Sequence, residues 1–432
     1  MEVIADLHLH SKYSRAVSPN MTIPQISLWA SKKGIGLVGT ADFTHPLWFR
    51  ELKTNLKEFG EGVYSAKNPI EGRLNPLFLL TTEISSIYTQ DGRSHRIHNL
   101  ILAPNLNVVE EINNKLRSRG VNLMSDGRPI SGLSTPQICE IVFSVSSDCL
   151  VIPAHIWTPW YSLYGSNSGF DSLKECFGEF TNQIYAIETG LSSSPAMNWR
   201  IAELDKRSII SFSDAHSPQK LGREATVFEV EDIKRLKYED IRQAIINNRI
   251  AYTIEFYPEE GKYHYTGHRN CEVKQSPEET KKLGVICPVC GRKLTVGVMQ
   301  RVEQLAGRSA EEVVAERDHL VKSKTGRPPY FMIVPLLGIL AESMESTVTS
   351  QAVGNRYEQM VEKFGSEFEV LLKTPVEFIA QSFGEKVAEA INKVRQGQIF
   401  VDPGYDGIFG VVKIWPDSEE EKEEKKEQMS LF

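Results

Sequence analysis

The sequence contains no hydrophobic run long enough to cross a lipid bilayer. Its best apolar stretch extends from Tyr330 to Ala341 and is interrupted by Pro335, whereas a spanning helix needs about 20 apolar residues. The chain opens with the residues MEVIAD, without the basic segment that begins a secretory signal. We therefore expect an intracellular, cytoplasmic protein that has no membrane partner.

The chain also has few cysteines and no net positive charge. The chain has six cysteines in 432 residues, so we do not expect a disulfide framework. The net charge is −7, of which residues 417–427 contribute −4, leaving −3 for residues 1–416. A chain of this kind lacks the overall basic charge of a nucleic-acid-binding protein. Any contact with DNA must therefore be local.

What the first half of the chain does contain is a series of short apolar runs, each followed by histidines or carboxylates. Such runs predict buried strands. Helical patterns lie between them, at 21–33 and 107–118 for example, and favour parallel strands with crossover helices, an α/β barrel. In such a barrel, side chains that follow the strands meet at one end. The runs are 3–5 before His8 and His10, 35–39 before Asp42 and His45, 77–80 before Glu83, 149–152 before His155, and 208–212 before Asp214 and His216, with His98 after Glu83.

This combination of imidazoles and carboxylates is typical of a cluster of divalent metals. Such a cluster takes neutral nitrogen ligands together with anionic oxygen ligands that can bridge ions. A single buried histidine is usually a core residue, but six or seven of the ten histidines would have to lie at strand ends by accident. We predict Asp214 as a catalytic carboxylate that holds a metal and orients the attacking water, and Glu83 as a second catalytic carboxylate.

These strings resemble the polymerase-and-histidinol-phosphatase (PHP) superfamily over residues 1–255. The resemblance implies a distorted β/α barrel with a cluster of metals in its mouth. The family's usual Thr-Asp-His is replaced here by Asp42-Phe43-Thr44-His45, which leaves open whether Asp42, His45 or both bind metal. Glu83 matches the bridging carboxylate, and Glu188 is either a ligand or a residue that supports one. The implied metal ligands are His8, His10, Asp42, His45, Glu83, His98, His155, Asp214 and His216.

A second cluster of candidate ligands lies at 268–290. His268 and Cys271 form one pair and Cys287 and Cys290 another, with 15 residues between the pairs. This spacing is typical of a small tetrahedral zinc site, and a glycine after the last cysteine allows the tight turn. Four protein ligands leave no open position, so we expect a structural zinc. His264 is the alternative to His268 as the fourth ligand.

The remainder of the chain divides into a helical region and an acidic tail. Apolar residues recur at helical spacing in 297–306, 310–321, 357–364 and 385–395. We therefore predict a barrel at 1–255, a zinc-binding module at 256–298, a mainly helical domain at 299–416 and a tail at 417–432. The tail has seven acidic residues and three lysines in 417–427 and no apolar residue there, so we expect it to be disordered.

The last five residues, QMSLF, resemble the short peptide that archaeal proteins insert into the sliding clamp PCNA. The resemblance rests on a glutamine, an aliphatic residue three positions later and an aromatic residue. The second aromatic residue of the full pattern is missing. The implied clamp-binding residues are Gln428, Leu431 and Phe432.

The barrel, the zinc module, the helical region and the tail together resemble the endonuclease Q family of archaeal and bacterial DNA-repair enzymes. Its most specific strings are TADFTHP at 40–46, PAH at 153–155 and SDAHSP at 213–218. The resemblance implies a metal-dependent DNA endonuclease that nicks on the 5′ side of uracil, hypoxanthine and abasic sites. It implies zinc in the module and in the barrel cluster, and Mg²⁺ or Mn²⁺ for activity. DNA and PCNA are the expected partners, and we expect a monomer.

Two other interpretations remain at this point. A PHP-family phosphoesterase that acts on a small phosphomonoester has the same barrel, although it has little use for a zinc module and a clamp peptide. The third interpretation is a PHP domain that has lost its activity and serves as a repair scaffold. The nearly complete set of metal ligands argues against it.

Overall fold

The computed structural model describes residues 1–317 and 320–416 of the chain. The fold is mixed α/β, a distorted barrel followed by a mainly helical part, as predicted from the sequence. The strands are β1 (Glu2–Asp6), β2 (Leu37–Gly39), β3 (Leu56–Gly60), β4 (Val63–Ala66), β5 (Leu77–Gln90), β6 (Arg93–Ala103), β7 (Ile130–Ser131), β8 (Leu150–Pro153), β9 (Ala186–Glu188), β10 (Ser208–Ile210), β11 (Ala225–Glu229), β12 (Ile250–Glu255), β13 (Thr266–His268), β14 (Val273–Gln275), β15 (Val314–Arg317), β16 (Leu320–Ser323), β17 (Tyr330–Met332), β18 (Phe400–Asp402) and β19 (Val411–Lys413).

Helices lie between the strands and form most of the C-terminal part. The α-helices are α1 (Ile23–Lys33), α2 (Pro46–Asn55), α3 (Leu106–Ser118), α4 (Thr135–Val145), α5 (Leu173–Phe177), α6 (Pro195–Trp199), α7 (Tyr238–Ile246), α8 (Pro277–Leu283), α9 (Val298–Leu305), α10 (Ala310–Val313), α11 (Leu336–Ser343), α12 (Gln351–Phe364), α13 (Glu367–Leu372), α14 (Val376–Phe383) and α15 (Glu385–Arg395). None of these described helices is both long and apolar enough to span a bilayer.

The predicted parallel arrangement holds for part of the sheet. Strands β1, β2 and β5 are parallel neighbours, and β9 pairs in parallel with β10. The prediction is wrong for β6, β8 and β11, which pair antiparallel with their neighbours, and for β12 where it pairs with β11. For β5 and β6 the reason is local: Asp91 and Gly92 have φ of 52° and 75°, a two-residue turn that folds the chain straight back as a hairpin.

This hairpin also changes the positions of two predicted ligands. We expected Glu83 to follow a strand, but β5 continues to Gln90. Glu83 therefore lies within the strand, and its neighbour across the hairpin is Leu100, two residues from His98. The long hairpin carries both side chains on strands, where backbone pairing fixes their positions.

The helical part docks onto the barrel at the end of α1. This helix ends at Gly34, whose φ of 88° is left-handed and whose added Cβ would lie 2.5 Å from Ser366 Oγ. Just before it, the buried Lys33 ammonium lies 2.7 Å from the Glu367 carboxylate on α13. Tyr357 also donates a hydrogen bond to Glu367 at 2.9 Å. A buried ion pair therefore joins the two parts of the chain.

One predicted helix in the C-terminal part is wrong over most of its length. Instead of a helix at 310–321, α10 stops at Val313 and the chain continues as β15 and β16, which pair antiparallel. The two adjacent β-branched residues Val313 and Val314 favour this change of conformation. Strand β16 then pairs with β17, and β17 pairs with β12. The proposed boundary at residue 255 is thus crossed by strand pairing, whereas helices dominate from α11 to α15. The acidic tail and the clamp-binding peptide predicted at its end lie outside the described residues.

Candidate active site

The His-x-His segment that follows β1 provides two inward-facing nitrogen ligands. His8 donates through Nδ1 to Glu188 Oε1 at 2.8 Å, and His10 through Nδ1 to Asp42 Oδ1 at 3.1 Å. When each ring is neutral, these contacts place its lone pair on Nε2. Both Nε2 atoms are buried, and neither has a hydrogen-bond partner among the described residues.

Glu83 lies at the centre of the histidines. Its Oε1 is 2.8 Å from His98 Nδ1, 3.2 Å from His155 Nε2 and 3.6 Å from His8 Nε2. Its Oε2 is 3.4 Å from His10 Nε2. The carboxylate therefore faces ligand atoms on both of its oxygens, which is the arrangement of a bridging ligand.

Asp214 and His216 complete the group from a second segment of the chain. Leu9 and Ala215 form a parallel bridge, so residues 214–216 lie beside the His-x-His segment. Asp214 Oδ1 is 3.1 Å from His10 Nε2 and 3.7 Å from His216 Nδ1. This buried oxygen has no hydrogen-bond partner among the described residues.

These separations suit metal ions. Ligands that bind one ion at about 2.0–2.2 Å lie about 3 to 4 Å from one another. Three buried atoms without hydrogen-bond partners would be costly in an empty pocket, and all three are potential ligands. The overlapping sets whose ligand atoms lie within 4.8 Å of one another are His8, His10 and Glu83; His10, Asp214 and His216; and Glu83, His98 and His155. The residues therefore fit a cluster of divalent ions.

The charges within the cluster favour the ionised form of its carboxylates. Burial opposes ionisation of Glu83, but His98 and Arg128 outweigh it and hold the pKa of this carboxyl well below its usual range. Burial likewise opposes ionisation of Asp214, yet contacts with His10 and His8 lower its pKa. Burial lowers the pKa of His98 to about 4, despite the nearby Glu83. Burial also opposes protonation of His8 and His10, but Glu188 beside His8 and Asp214 beside His10 outweigh it and raise the pKa of both rings well above the ordinary value. A bound cation would therefore replace a proton on each of these two rings.

Left-handed backbone occurs at three residues of the site. Asp42, His155 and Asp214 have φ of 39°, 33° and 46°. Such conformations are unfavourable for residues other than glycine and cluster at functional sites, where surrounding contacts impose them. At Asp214 the imposed turn presents the side chain to the cluster.

Two predicted ligands are not brought into these sets. Asp42 contacts the opposite nitrogen of His10 and also accepts hydrogen bonds from the amide and hydroxyl of Ser11. The His45 ring instead stacks on Tyr13 at a centroid distance of 4.5 Å. Asp42 therefore orients a ligand, as Glu188 does for His8, and His45 packs beside the site.

Two functional residues were missed in the sequence. The buried Asp6 carboxylate accepts hydrogen bonds from the amides of Ser213 and Gly222 at 3.0 and 2.9 Å, and it fixes the turn that carries Asp214. A charged residue inside an apolar strand was the available signal. Arg128 contacts Glu83 at 3.1 Å from a loop that has no motif, so nothing in the sequence pointed to it.

Three members of the candidate metal-binding sets, His98, His155 and Asp214, line an open cavity of about 560 Å³. Asp214 is the most accessible carboxylate of the sets, with 23% of its side chain exposed compared with 0% for Glu83. The walls carry aromatic and cationic side chains, including Arg15, Trp160, Tyr161, Lys262 and Tyr263. Trp160 and Tyr263 meet edge to face at 5.4 Å. The cavity thus has a charged floor and an aromatic rim.

The second cluster forms as predicted at β13 and the following turns. The ligand atoms of His268, Cys271, Cys287 and Cys290 lie within 4.8 Å of one another. Desolvation opposes ionisation of Cys287, but the amides of Cys290 and Val289 outweigh it and lower the pKa of this thiol to about 6. A thiolate is the form that binds a metal. These four residues fit a closed tetrahedral site.

His264, the alternative fourth ligand, does not join this cluster. It is buried at the edge of a separate cavity of about 580 Å³. Burial lowers its pKa to about 4, despite a hydrogen bond to the backbone of Pro258. The structure therefore selects His268.

Comparison with known proteins gives matches in sequence and in structure. A family profile described as the MJ0043 C-terminal domain matches residues 335–398, which contain α11 to α15. The uncharacterized protein MJ0043 of Methanocaldococcus jannaschii is 34% identical over 264 residues, or 60% of this chain. The match covers 31% of that protein, so the matched part of this chain spans less than a third of its length.

Two solved structures match over nearly the whole chain. The lesion-specific endonuclease PfuEndoQ from Pyrococcus furiosus has a TM-score of 0.81 and 33% identity, with 98% of this chain and 99% of that chain covered. An endonuclease Q complex with a 27-mer duplex substrate, which has an abasic lesion at the active site, has a TM-score of 0.81 and 34% identity, with 98% of this chain and 100% of that chain covered. On this similarity, the chain belongs to the endonuclease Q family of lesion-specific endonucleases.

Proposed function

We propose that this protein is a metal-dependent DNA-repair endonuclease. It nicks DNA on the 5′ side of deaminated bases, uracil and hypoxanthine, and of abasic sites. The observation that carries the proposal is the convergence of His8, His10, Glu83 and Asp214 in one cluster, of which Asp214 lines an open cavity. Family membership supports DNA as the substrate, since one relative holds a duplex with an abasic lesion at its active site.

The chain's own residues arrange the reaction. Glu188 and Asp42 hold His8 and His10 in single tautomers. Divalent ions held by the cluster would polarise the phosphodiester and stabilise charge on the leaving oxygen. Asp214 is both ionised and open to the cavity, so it accepts a hydrogen bond from the attacking water and orients it. Glu83 is enclosed and serves to hold the ligand set together.

The aromatic rim is suited to a displaced base. Trp160, Tyr161 and Tyr263 offer ring faces and edges close to His98 and His155. Stacking of a base on an aromatic side chain contributes about 1–3 kcal/mol. Weakly paired or damaged bases also cost less to extrude from a duplex. This difference would favour a lesion over a normal pair before any specific hydrogen bond forms.

We also propose specific metals for the two clusters. His268, Cys271, Cys287 and Cys290 offer thiolates and an imidazole, the ligands of structural zinc. The barrel cluster offers imidazoles and carboxylates, which suit zinc and also Mn²⁺ or Mg²⁺. We assign structural zinc to the module, zinc to part of the barrel cluster, and Mg²⁺ or Mn²⁺ to the activated enzyme.

We further propose that the enzyme acts as a monomer bound to the sliding clamp PCNA. Support for the clamp comes from the sequence alone: Gln428, Leu431 and Phe432 end a tail of high charge. A short peptide that docks two apolar side chains incurs an ordering cost, so affinity in the micromolar range is expected. Tethering would raise the concentration of nuclease near clamp-loaded DNA.

The test compares DNA cleavage with phosphomonoester hydrolysis. Purified protein is incubated with end-labelled duplexes of one sequence that carry uracil, hypoxanthine, an abasic site or no lesion, in Mg²⁺ or Mn²⁺, and in parallel with p-nitrophenyl phosphate. We expect nicking of the lesion duplexes and little hydrolysis of the monoester. Efficient monoester hydrolysis without nicking would contradict the proposal and favour a small-molecule phosphoesterase.

A further inference from the structure

Arg128 reaches into the cavity from the loop before β7. Its Nη1 lies 3.1 Å from Glu83 Oε2, and 24% of its side chain is exposed. It lines the cavity together with His98, His155 and Asp214. Among the described residues, Glu83 is the only hydrogen-bond partner of this guanidinium. A guanidinium has five N–H donors, so the group retains donors for a ligand in the cavity.

The loop that carries Arg128 is held in place by the segment that follows the His-x-His motif. Asp126 accepts hydrogen bonds from the amides of Arg128 and Arg15 at 3.1 and 3.3 Å. Gly127 donates its amide to the Tyr13 carbonyl at 3.0 Å. A Cβ at Gly127 would lie 2.3 Å from Asp42 Oδ2, so only glycine allows this approach.

The far end of the loop is fixed as well. Ser85 donates its amide to the Pro129 carbonyl at 3.0 Å, and β7 pairs with β5 at Ser85 and Ile130. Strand β5 is the strand that carries Glu83. Arg128 is therefore positioned by the same elements that position the metal ligands, and it is pre-organised before a substrate arrives.

The other cations of the cavity differ from Arg128 in depth and in partners. The Arg15 side chain is 73% exposed and pairs with Asp126. The Lys262 ammonium lies over the Phe409 ring at 4.4 Å. Of these described cations, Arg128 is the one in contact with the metal-binding floor. A phosphodiester that reaches the cluster would pass within range of its free donors.

We propose that Arg128 is a catalytic residue whose guanidinium donates a hydrogen bond to a non-bridging oxygen of the phosphodiester that is cut. This inference rests on the proposed function and adds a residue to the same site. One edge of the planar guanidinium binds Glu83 and another edge binds the phosphate. The single ammonium group of lysine cannot make both contacts in this geometry. The contact strengthens as negative charge develops on the phosphate in the transition state.

The first test is a variant series. Arg128→Gln and Arg128→Lys are compared with Arg119→Gln, a matched control in which a surface arginine paired with Glu140 is changed. Single-turnover nicking of a uracil duplex should fall about a hundredfold or more in Arg128→Gln, less in Arg128→Lys, and not at all in the control. Metal content, measured by plasma mass spectrometry, should stay at the wild-type value.

The decisive readout uses the substrate. Duplexes carry a methylphosphonate of either configuration at the cut position, so that one non-bridging oxygen at a time is lost. Wild type should show a large rate penalty for the isomer that lacks the oxygen bound by Arg128. In Arg128→Gln that penalty should shrink by about tenfold, while the penalty for the other isomer is unchanged.

Several results would overturn the inference. Nicking by Arg128→Gln within about threefold of wild type would exclude a phosphate contact of the expected strength. Loss of metal, or isomer penalties equal to those of wild type, would mean that Arg128 acts only by holding Glu83. If wild type itself nicked no lesion duplex, the proposed function would fail and the role of Arg128 would fall with it.

Discussion

Changing Asp214 to asparagine should abolish nicking while leaving the fold intact. The carboxylate oxygen Oδ1 lies 3.1 Å from His10 Nε2 and 3.8 Å from His8 Nε2. Asp214 thus belongs to one candidate set with His10 and also lies close to His8 of a second set. The amide of asparagine keeps the volume but removes the negative charge. Loss of this ligand and of the oriented water should reduce the rate about a thousandfold, which corresponds to about 4 kcal/mol of activation free energy.

The assay is single-turnover nicking of a uracil duplex with enzyme in excess, with metal content and melting temperature measured on the same preparation. The matched control is Asp171→Asn, because the Asp171 side chain is 69% exposed and pairs with Arg301 on the surface. The control should nick at the wild-type rate. In chelator, Asp214→Asn should melt within a few degrees of wild type, because the change is nearly isosteric. Retention of a tenth of wild-type activity, or global unfolding, would refute the role of Asp214.

Four further outcomes are expected. Cys287→Ser should lose one equivalent of zinc that wild type releases on thiol modification, and should lower the melting temperature more than the nicking rate; unchanged zinc and melting temperature would exclude the site. Lys33→Met should lower the free energy of unfolding by about 3–5 kcal/mol, because it leaves Glu367 charged and buried, and urea titration should show partial recovery in Lys33→Met/Glu367→Gln. Burial raises the pKa of Glu255 to about 7, despite hydrogen bonds from Ser211 and Thr253; the folded protein thus holds a proton that the unfolded chain releases, so stability should fall as pH rises from about 4.5 to 7. Glu255→Gln should flatten that fall in melts at several pH values, and an equal slope would contradict the assignment. Removal of residues 428–432 should end binding to the clamp in calorimetry and leave nicking of short duplexes unchanged; equal binding by both forms would refute the role of the peptide.

The convergence of the candidate ligands was predictable because each of them follows or lies within a short apolar run. His8, His10, Glu83, His98, His155, Asp214 and His216 all converge as expected. The cluster of His268, Cys271, Cys287 and Cys290 was equally clear, since its two residue pairs are local in sequence. Candidate ligands of this kind can be recognised in a sequence because the residues next to them encode the strand or turn that positions the side chain.

The differences from the sequence-based expectations have local and long-range origins. The β5–β6 hairpin continues beyond Glu83 because its strands pair over their full length, which apolar spacing does not reveal. His45 stacks on Tyr13 instead of facing the cluster. The orientation of its ring therefore depends on a residue that lies more than 30 positions earlier in the chain. Arg128 reaches Glu83 from a loop that is fixed only by tertiary contacts. The hairpin does leave a local pattern, the Asp91-Gly92 pair at its turn, whereas the positions of His45 and Arg128 do not.

The most direct test of the central claim is the position of the cut, mapped at single-nucleotide resolution. Wild type with Mg²⁺ or Mn²⁺ is incubated with an end-labelled duplex that contains one uracil and with the same duplex that contains cytosine instead. The proposed function predicts one nick on the 5′ side of the uracil, none in the undamaged duplex, and loss of the nick in chelator. Equal cutting of both duplexes, or a nick that persists without metal, would contradict it.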